Sequence, residues 1–223
     1  MPIKALIFCL PILFAASGAI AQEPAKAPAR MPTPAANVPV EAENVLDLDL
    51  SNGGRVRIQL RPDIAPNHVE RIKALARQGF YNGVIFHRVI EGFMAQTGDP
   101  TGTGQGSSEF PDLKAEFNAY PHLRGTVSMA RASSEDSANS QFFIMLMPRF
   151  TLDRKYTALG RVIGGMEYVD AIVRGEPPTN PTRVLQASVE ADGKAPPSQI
   201  SAAPGVASGK DISVDDLNTP IRQ

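Results

Sequence analysis

Residues 45–60 read VLDLDLSNGGRVRIQL. Leu46, Leu48 and Leu50 alternate with aspartates, and Val56, Ile58 and Leu60 alternate with polar residues. A period of two puts the apolar set of each run on one face of an extended strand. Ser51-Asn52-Gly53-Gly54 between the runs is turn chemistry, because asparagine and glycine accept the backbone angles of a tight hairpin. A chain that opens this way is committed to antiparallel β-structure with its leucine face inward.

Something must cover that face. Pro66 stands at a plausible first helical position, and Val69, Ile72, Leu75 and Ala76 form an apolar stripe at helical spacing that stops at Gly79. Further apolar runs at 84–90, 126–130, 142–147, 157–163 and 184–189 have strand length. Met166, Val169, Ile172 and Val173 share a face and predict a second helix near 165–174. No internal repeat is visible. Many short strands with two helices fit a mostly β fold, a closed antiparallel barrel capped by helices.

The ends of the chain have a different character. Residues 1–21 carry an early lysine, an apolar run and small residues at Ala19 and Ala21, the layout of a secretory signal peptide cleaved before Gln22. An uncleaved membrane anchor is the alternative; Pro11 and the small-residue end favour cleavage. Residues 22–40 are rich in proline and alanine and read as an extended linker. Residues 192–223 are rich in Pro, Ser, Gly and Asp and are expected to be disordered. One domain, residues 41–191, lies between them.

Cleavage removes Cys9, the single cysteine, so the mature chain can be neither a disulfide scaffold nor a thiol enzyme. It also removes Lys4, which moves the formal net charge from −1 to −2 and leaves no global attraction to nucleic acid. No second apolar stretch approaches the roughly 20 residues needed to span a bilayer, so no membrane insertion is expected after cleavage.

Other chemistries drop out by motif. No G-x-S-x-G occurs to build a nucleophile elbow. His68, His87 and His122 have no metal-ligand spacing and read as structural or solvated. Gly102, Gly104 and Gly106 lack both the dinucleotide spacing and a Gly-Lys-Ser/Thr, and Pro111 interrupts any helix that should follow. They read as turn residues of a surface loop.

Four segments remain: FHRVIEGFMAQTGD (86–99), GTVSMARA (125–132), NSQFFIML (139–146) and LDRKYTALGRVIGGMEYVDAI (152–172). In this order they resemble the cyclophilin family of peptidyl-prolyl cis/trans isomerases, and the resemblance covers nearly all of 45–190. It implies an eight-stranded antiparallel β-barrel capped by two α-helices, in agreement with the pattern above. It implies catalysis by Arg88. It implies an apolar proline pocket from Phe93, Met94, Phe143 and Leu152, and peptide-backbone contacts from Gln96 and Gln141. Ala130, Arg131 and Ala132 fall on the strand bordering the site. Tyr156 falls where the family often has histidine. The family's usual tryptophan falls on Phe150 or Thr151, and the chain contains no tryptophan, so weak cyclosporin binding is expected. Arg131, where many relatives have asparagine, adds a cation at the cleft edge and shifts the expected preference towards acidic peptides.

The residue types suit this reaction. An amide resists rotation by about 18–20 kcal/mol because of its partial double bond. As it twists, the proline nitrogen becomes pyramidal and gains a lone pair. A fixed arginine can donate to that lone pair and to nothing comparable in the planar ground state, so it favours the transition state selectively. No nucleophile, metal or cofactor is required. Taken singly, an arginine in an apolar strand is more often solvated or ion-paired, and Phe93, Met94 and Phe143 are more often core. Their joint order reverses that.

The expected activity is therefore isomerisation of Xaa-Pro bonds in proline-containing segments of exported client proteins, by a monomer. A proline-peptide-binding chaperone or scaffold without turnover is the alternative. The expected location is the periplasm of a Gram-negative bacterium, with a secretory-pathway lumen or a membrane-anchored form as alternatives.

Overall fold

The hairpin of residues 45–60 is two strands of a larger sheet in the computed structural model, which describes residue 34 and residues 37–198. The signal peptide and most of the linker and tail expected from the sequence lie outside the described residues.

Strands β1 (Val45–Leu50) and β2 (Arg55–Leu60) pair antiparallel, with Gly53 N–H on Leu50 O and Leu50 N–H on Gly54 O closing the turn. The chain then forms α1 (Pro66–Arg77), β3 (Arg88–Ile90), β4 (Met94–Thr97), β5 (Thr126–Met129), β6 (Phe142–Met145), β7 (Ala158–Gly164), α2 (Met166–Asp170) and β8 (Val184–Val189). The eight strands make one antiparallel sheet in the order β3-β4-β6-β5-β7-β2-β1-β8.

The two ends of this sheet meet, but not through a continuous ladder. Gly83 N–H bonds Val184 O, Val184 N–H bonds Val84 O, and Phe86 N–H bonds Thr182 O. Val89 and Gly175 exchange both backbone hydrogen bonds. The expected barrel is thus joined by isolated bridges along its seam. The apolar run 84–90 divides for the same reason: its first half bonds the chain entering β8, and only 88–90 pair with β4.

Alternation holds where one face is buried. Val56, Ile58 and Leu60 are buried, as are Val69, Ile72, Leu75 and Ala76 on α1. Pro66 begins that helix, where its missing N–H costs no bond, and Gly79 at φ +72° ends the turn after it. On β1 the pattern departs from expectation, because Asp47 and Asp49 are buried along with the leucines. Arg55, directly opposite Asp49, explains it. Its Nε and Nη2 donate to the two Asp49 oxygens at 2.7 and 2.9 Å, and its Nη1 donates to Asp47 at 3.1 Å. The start of the tail lies over this face, with Lys194 O accepting from Arg55 and Ala195 O from Gln186.

The second helix is shorter than the predicted 165–174. Val169 and Ile172 are buried as expected, but Val173 is exposed and beyond the helix. The chain leaves α2 early so that Gly175 can reach Val89. Among the described residues no helix is long and apolar enough to cross a membrane.

Candidate active site

The strand registers sort residues onto two faces. Val89, Ala95, Ile144 and Val127 are successive cross-strand partners and belong to the main core. Their sequence neighbours face the other way. Ile90, Met94 and Met145 form one row there, and Arg88, Gln96, Phe143 and Ser128 form the next. Met94, Phe143 and Met145 are buried in a second, smaller apolar cluster with Ile90, Phe93, Ala130, Leu152 and Tyr156 packed against it. Period-two alternation on four adjacent strands therefore builds a site on the outer face of the sheet.

This cluster floors a cleft of about 590 Å³. Arg88, Phe93, Met94, Gln96, Ala130, Arg131, Phe143, Leu152 and Tyr156 all line it. Gln141 and Ala132 line an adjoining groove of about 340 Å³, which shares Gln96, Ala130 and Arg131 with the first. Phe150 is not brought to either. It sits on a single 3-10 turn, Phe150–Leu152, with 64% of its surface exposed, and only Leu152 of that turn faces the cleft. Thr151 is exposed as well, so neither candidate for the family's tryptophan position walls the cleft.

The apolar walls are braced from behind. Phe143 meets Tyr156 edge to face at 5.9 Å between centroids and stacks on His122 at 6.4 Å. His122 is buried; its Nδ1 lies 2.8 Å from Asp153 Oδ1 and its Nε2 lies 2.8 Å from Ser128 Oγ. The order Ser128–His122–Asp153 mimics a hydrolase triad, but Ser128 is fully buried and lines no cleft, so it supports Phe143 and cannot attack a substrate. Burial lowers the pKa of His122 against the opposing pull of Asp153. His68 is likewise buried, its Nδ1 2.6 Å from Glu116 Oε2.

Two arginines lie over the aromatic walls. The Arg131 guanidinium lies 4.8 Å from the Tyr156 ring centre, and that of Arg149 lies 4.9 Å from Phe93. Arg131 also donates to the carbonyls of Ala132 and Ser133 at 3.0 and 3.3 Å. Its charge is therefore fixed at the cleft edge.

The polar side is a small network. Gln96 Nε2 donates to Gln141 Oε1 at 2.8 Å, and Gln141 Nε2 donates to Gly106 O at 2.8 Å and Gly104 O at 3.1 Å. The glycine loop, read from the sequence as turn residues, is organised around a carboxylate. Asp99 is fully buried and accepts from Thr101 N–H and Oγ and from Gly104 N–H. Burial works against its ionisation. The hydrogen bonds from Thr101, Gly106 and Gly104 outweigh that, and its pKa is lowered.

Some lining residues carry no sequence signal. His87 is buried at the base of the cleft, its pKa lowered mainly by burial. Glu176 and Pro177 form part of the wall, and Glu176 Oε2 accepts from Arg88 Nε at 2.8 Å. Gly-Glu-Pro-Pro reads as a turn; only the Val89–Gly175 bridge brings it to Arg88. Among the described residues no three His, Cys, Asp or Glu side chains gather as metal ligands.

Comparison with known proteins is consistent across sequence and fold. The family model described as cyclophilin type peptidyl-prolyl cis-trans isomerase/CLD matches residues 45–189. A probable peptidyl-prolyl cis-trans isomerase from Brucella suis is 47% identical over 170 residues, covering 69% of this chain and 86% of that protein. Among solved structures, a cyclophilin from Hirschia baltica aligns with TM-score 0.64 and 31% identity over 70% of this chain and 77% of its own. A cyclophilin type peptidyl-prolyl cis-trans isomerase of Cryptosporidium parvum, solved in the presence of the dipeptide Ala-Pro, aligns with TM-score 0.61 and 28% identity, over 65% of this chain and 98% of its own.

Proposed function

The chain belongs to the cyclophilin-type peptidyl-prolyl cis-trans isomerase family, and on that premise we propose that Arg88 is its catalytic cation, acting on Xaa-Pro segments of exported proteins. The observation that carries this reading is the outer-face row in which Arg88, Gln96 and Phe143 are direct cross-strand neighbours. The row sets a permanent cation, an amide and an aromatic ring side by side, at strand spacing. These are group types that can meet the prolyl nitrogen, the preceding carbonyl and the pyrrolidine ring, in that order.

In this reading Phe93, Met94, Phe143, Leu152 and Tyr156 hold the pyrrolidine ring. Gln96 and Gln141 hold the peptide backbone, and the edge at Ala130–Ala132 lies alongside it. One side of the scissile-free bond is held while the other turns. As the nitrogen pyramidalises, Arg88 donates to its lone pair, a bond absent in the planar ground state. The Cryptosporidium relative, with its Ala-Pro dipeptide, supports a proline-containing ligand of this kind. Arg131 at the rim favours clients with an acidic residue near the proline. The absence of a tryptophan predicts weak cyclosporin binding. Residues 1–21 would direct the chain to the periplasm, where it acts as a monomer.

The test is an exchange measurement by NMR, or a protease-coupled assay, on a panel of Xaa-Pro peptides. Arg88→Ala should lower kcat/KM by about 10²–10³, the range seen when a transition-state donor is removed, while peptide binding persists. A wild-type protein without turnover would sink the catalytic assignment and leave a binding module. Expression of the full chain in a Gram-negative host, followed by fractionation and N-terminal sequencing, tests export; a mature chain should begin at Gln22.

A further inference from the structure

We propose that Glu176 is a positioning residue, which holds the Arg88 guanidinium by its Nε edge and leaves both terminal nitrogens for the prolyl nitrogen. The proposal rests on the reading of Arg88 as the catalytic cation.

The backbone sets up the pair. Val89 N–H bonds Gly175 O at 2.8 Å and Gly175 N–H bonds Val89 O at 3.0 Å. In that antiparallel register the residue facing Arg88 is Glu176, while Gln96 faces Arg88 from the other side. Arg88 is thus the middle of a row of three. The bridge depends on glycine: Gly175 has φ +145°, and a Cβ there would come 2.6 Å from Pro178 Cα. The loop presents Glu176 from a position that no other residue type could hold without moving the chain.

The chemistry of the contact is specific. Arg88 Nε donates to Glu176 Oε2 at 2.8 Å, the one hydrogen bond of this side chain among the described residues. The two side chains are 42% and 52% exposed, and ion pairs this open contribute little to stability. An anchor at Nε does something else. It fixes the plane of a long, flexible side chain before substrate arrives, so less freedom is lost at the transition state. It uses one of five N–H donors and leaves the four on the terminal nitrogens open. Both residues line the same cleft.

The experiment compares Glu176→Ala and Glu176→Gln with the wild type in the proline-peptide exchange assay, each also in an Arg88→Ala background. Glu176→Ala should lower kcat about tenfold, equivalent to a barrier higher by about 1.4 kcal/mol, with KM within about twofold and an unchanged melting temperature. Glu176→Gln, whose carbonyl still accepts from Nε, should recover most of that loss. In the Arg88→Ala background neither change should matter further. The Arg88 Nε–H resonance should be protected from solvent exchange in the wild type and Glu176→Gln and lose protection in Glu176→Ala. A wild-type kcat for Glu176→Ala, or an equal loss without Arg88, overturns the proposal. If Arg88→Ala itself keeps full activity, the catalytic reading fails first, a separate result.

Discussion

Gln96 and Gln141 share one hydrogen bond, from Gln96 Nε2 to Gln141 Oε1 at 2.8 Å, and it commits the whole Gln141 amide. The Gln141 oxygen accepts from Gln96, and its nitrogen donates to Gly104 O and Gly106 O. Gln96 keeps its own oxygen and one N–H for a peptide. Gln141 is thus the tie between the glycine loop and the strand row that carries Arg88. Gln141→Leu removes three hydrogen bonds, one accepted and two donated, at roughly 0.5–1.5 kcal/mol each, so about 1.5–4.5 kcal/mol should be lost in chemical denaturation. Gln141→Glu should cost more, because a carboxylate would face the two glycine carbonyls with nothing to donate. A glutamate variant as stable as the wild type would refute this assignment of the amide.

Arg55 holds two aspartates that are themselves buried. Asp49 is fully buried and Asp47 nearly so, and burial raises the pKa of Asp47 even with Arg55 beside it. Removing one partner of such a group strands charge away from water. Arg55→Ala should therefore destabilise the domain by about 3 kcal/mol, read as a fall in the urea midpoint. The site lies on other strands, so kcat/KM of the folded fraction should not change. A loss below about 0.5 kcal/mol, typical of exposed pairs, would show that the aspartates are solvated.

The contrast between those two sites explains what could be read from the sequence. Alternation reports a buried face, so Leu46, Val56, Val69 and the core strands were legible. It cannot report a second buried face lined by charge, because Arg55 compensates Asp47 and Asp49 through tertiary contact and the tail covers them. The cleft was legible where motif order carried it, at Arg88, Phe93, Met94, Gln96, Phe143 and Leu152. Glu176 was not, since only the long-range Val89–Gly175 bridge brings it in, to a residue 88 positions earlier in the chain. Phe150 was named by motif, but the 3-10 turn points only Leu152 inward.

Acid should weaken the fold through its buried histidines. His122 and His87 both have pKa values lowered chiefly by burial, in spite of Asp153 and Asp99 respectively. A histidine whose folded pKa lies below its unfolded value of about 6.5 binds fewer protons folded than unfolded. Its contribution to stability is complete above pH 6.5 or so and is lost as pH falls through the folded value. The urea midpoint should be flat from pH 8 to 7 and then decline towards pH 5. His122→Gln can still donate to Asp153 and accept from Ser128, and it should flatten part of that decline; His87 supplies the rest. A midpoint that rises towards pH 5 would contradict the buried, neutral state of both rings.

Phe150 and Leu152 separate motif from geometry. They occupy one turn, but Phe150 is 64% exposed while Leu152 packs against the Met94–Phe143 cluster and lines the cleft. Apolar contact with a bound proline ring scales with area removed from water, roughly 25 cal/mol per Å². An exposed ring outside the cleft removes little. Phe150→Ala should leave kcat/KM within about twofold, whereas Leu152→Ala should lower it about tenfold, the effect of roughly 1.4 kcal/mol. Both are measured in the same proline-peptide assay at sub-saturating substrate. A tenfold loss for Phe150→Ala would mean that this turn folds over the peptide when it binds, placing the ring where the family's tryptophan is expected.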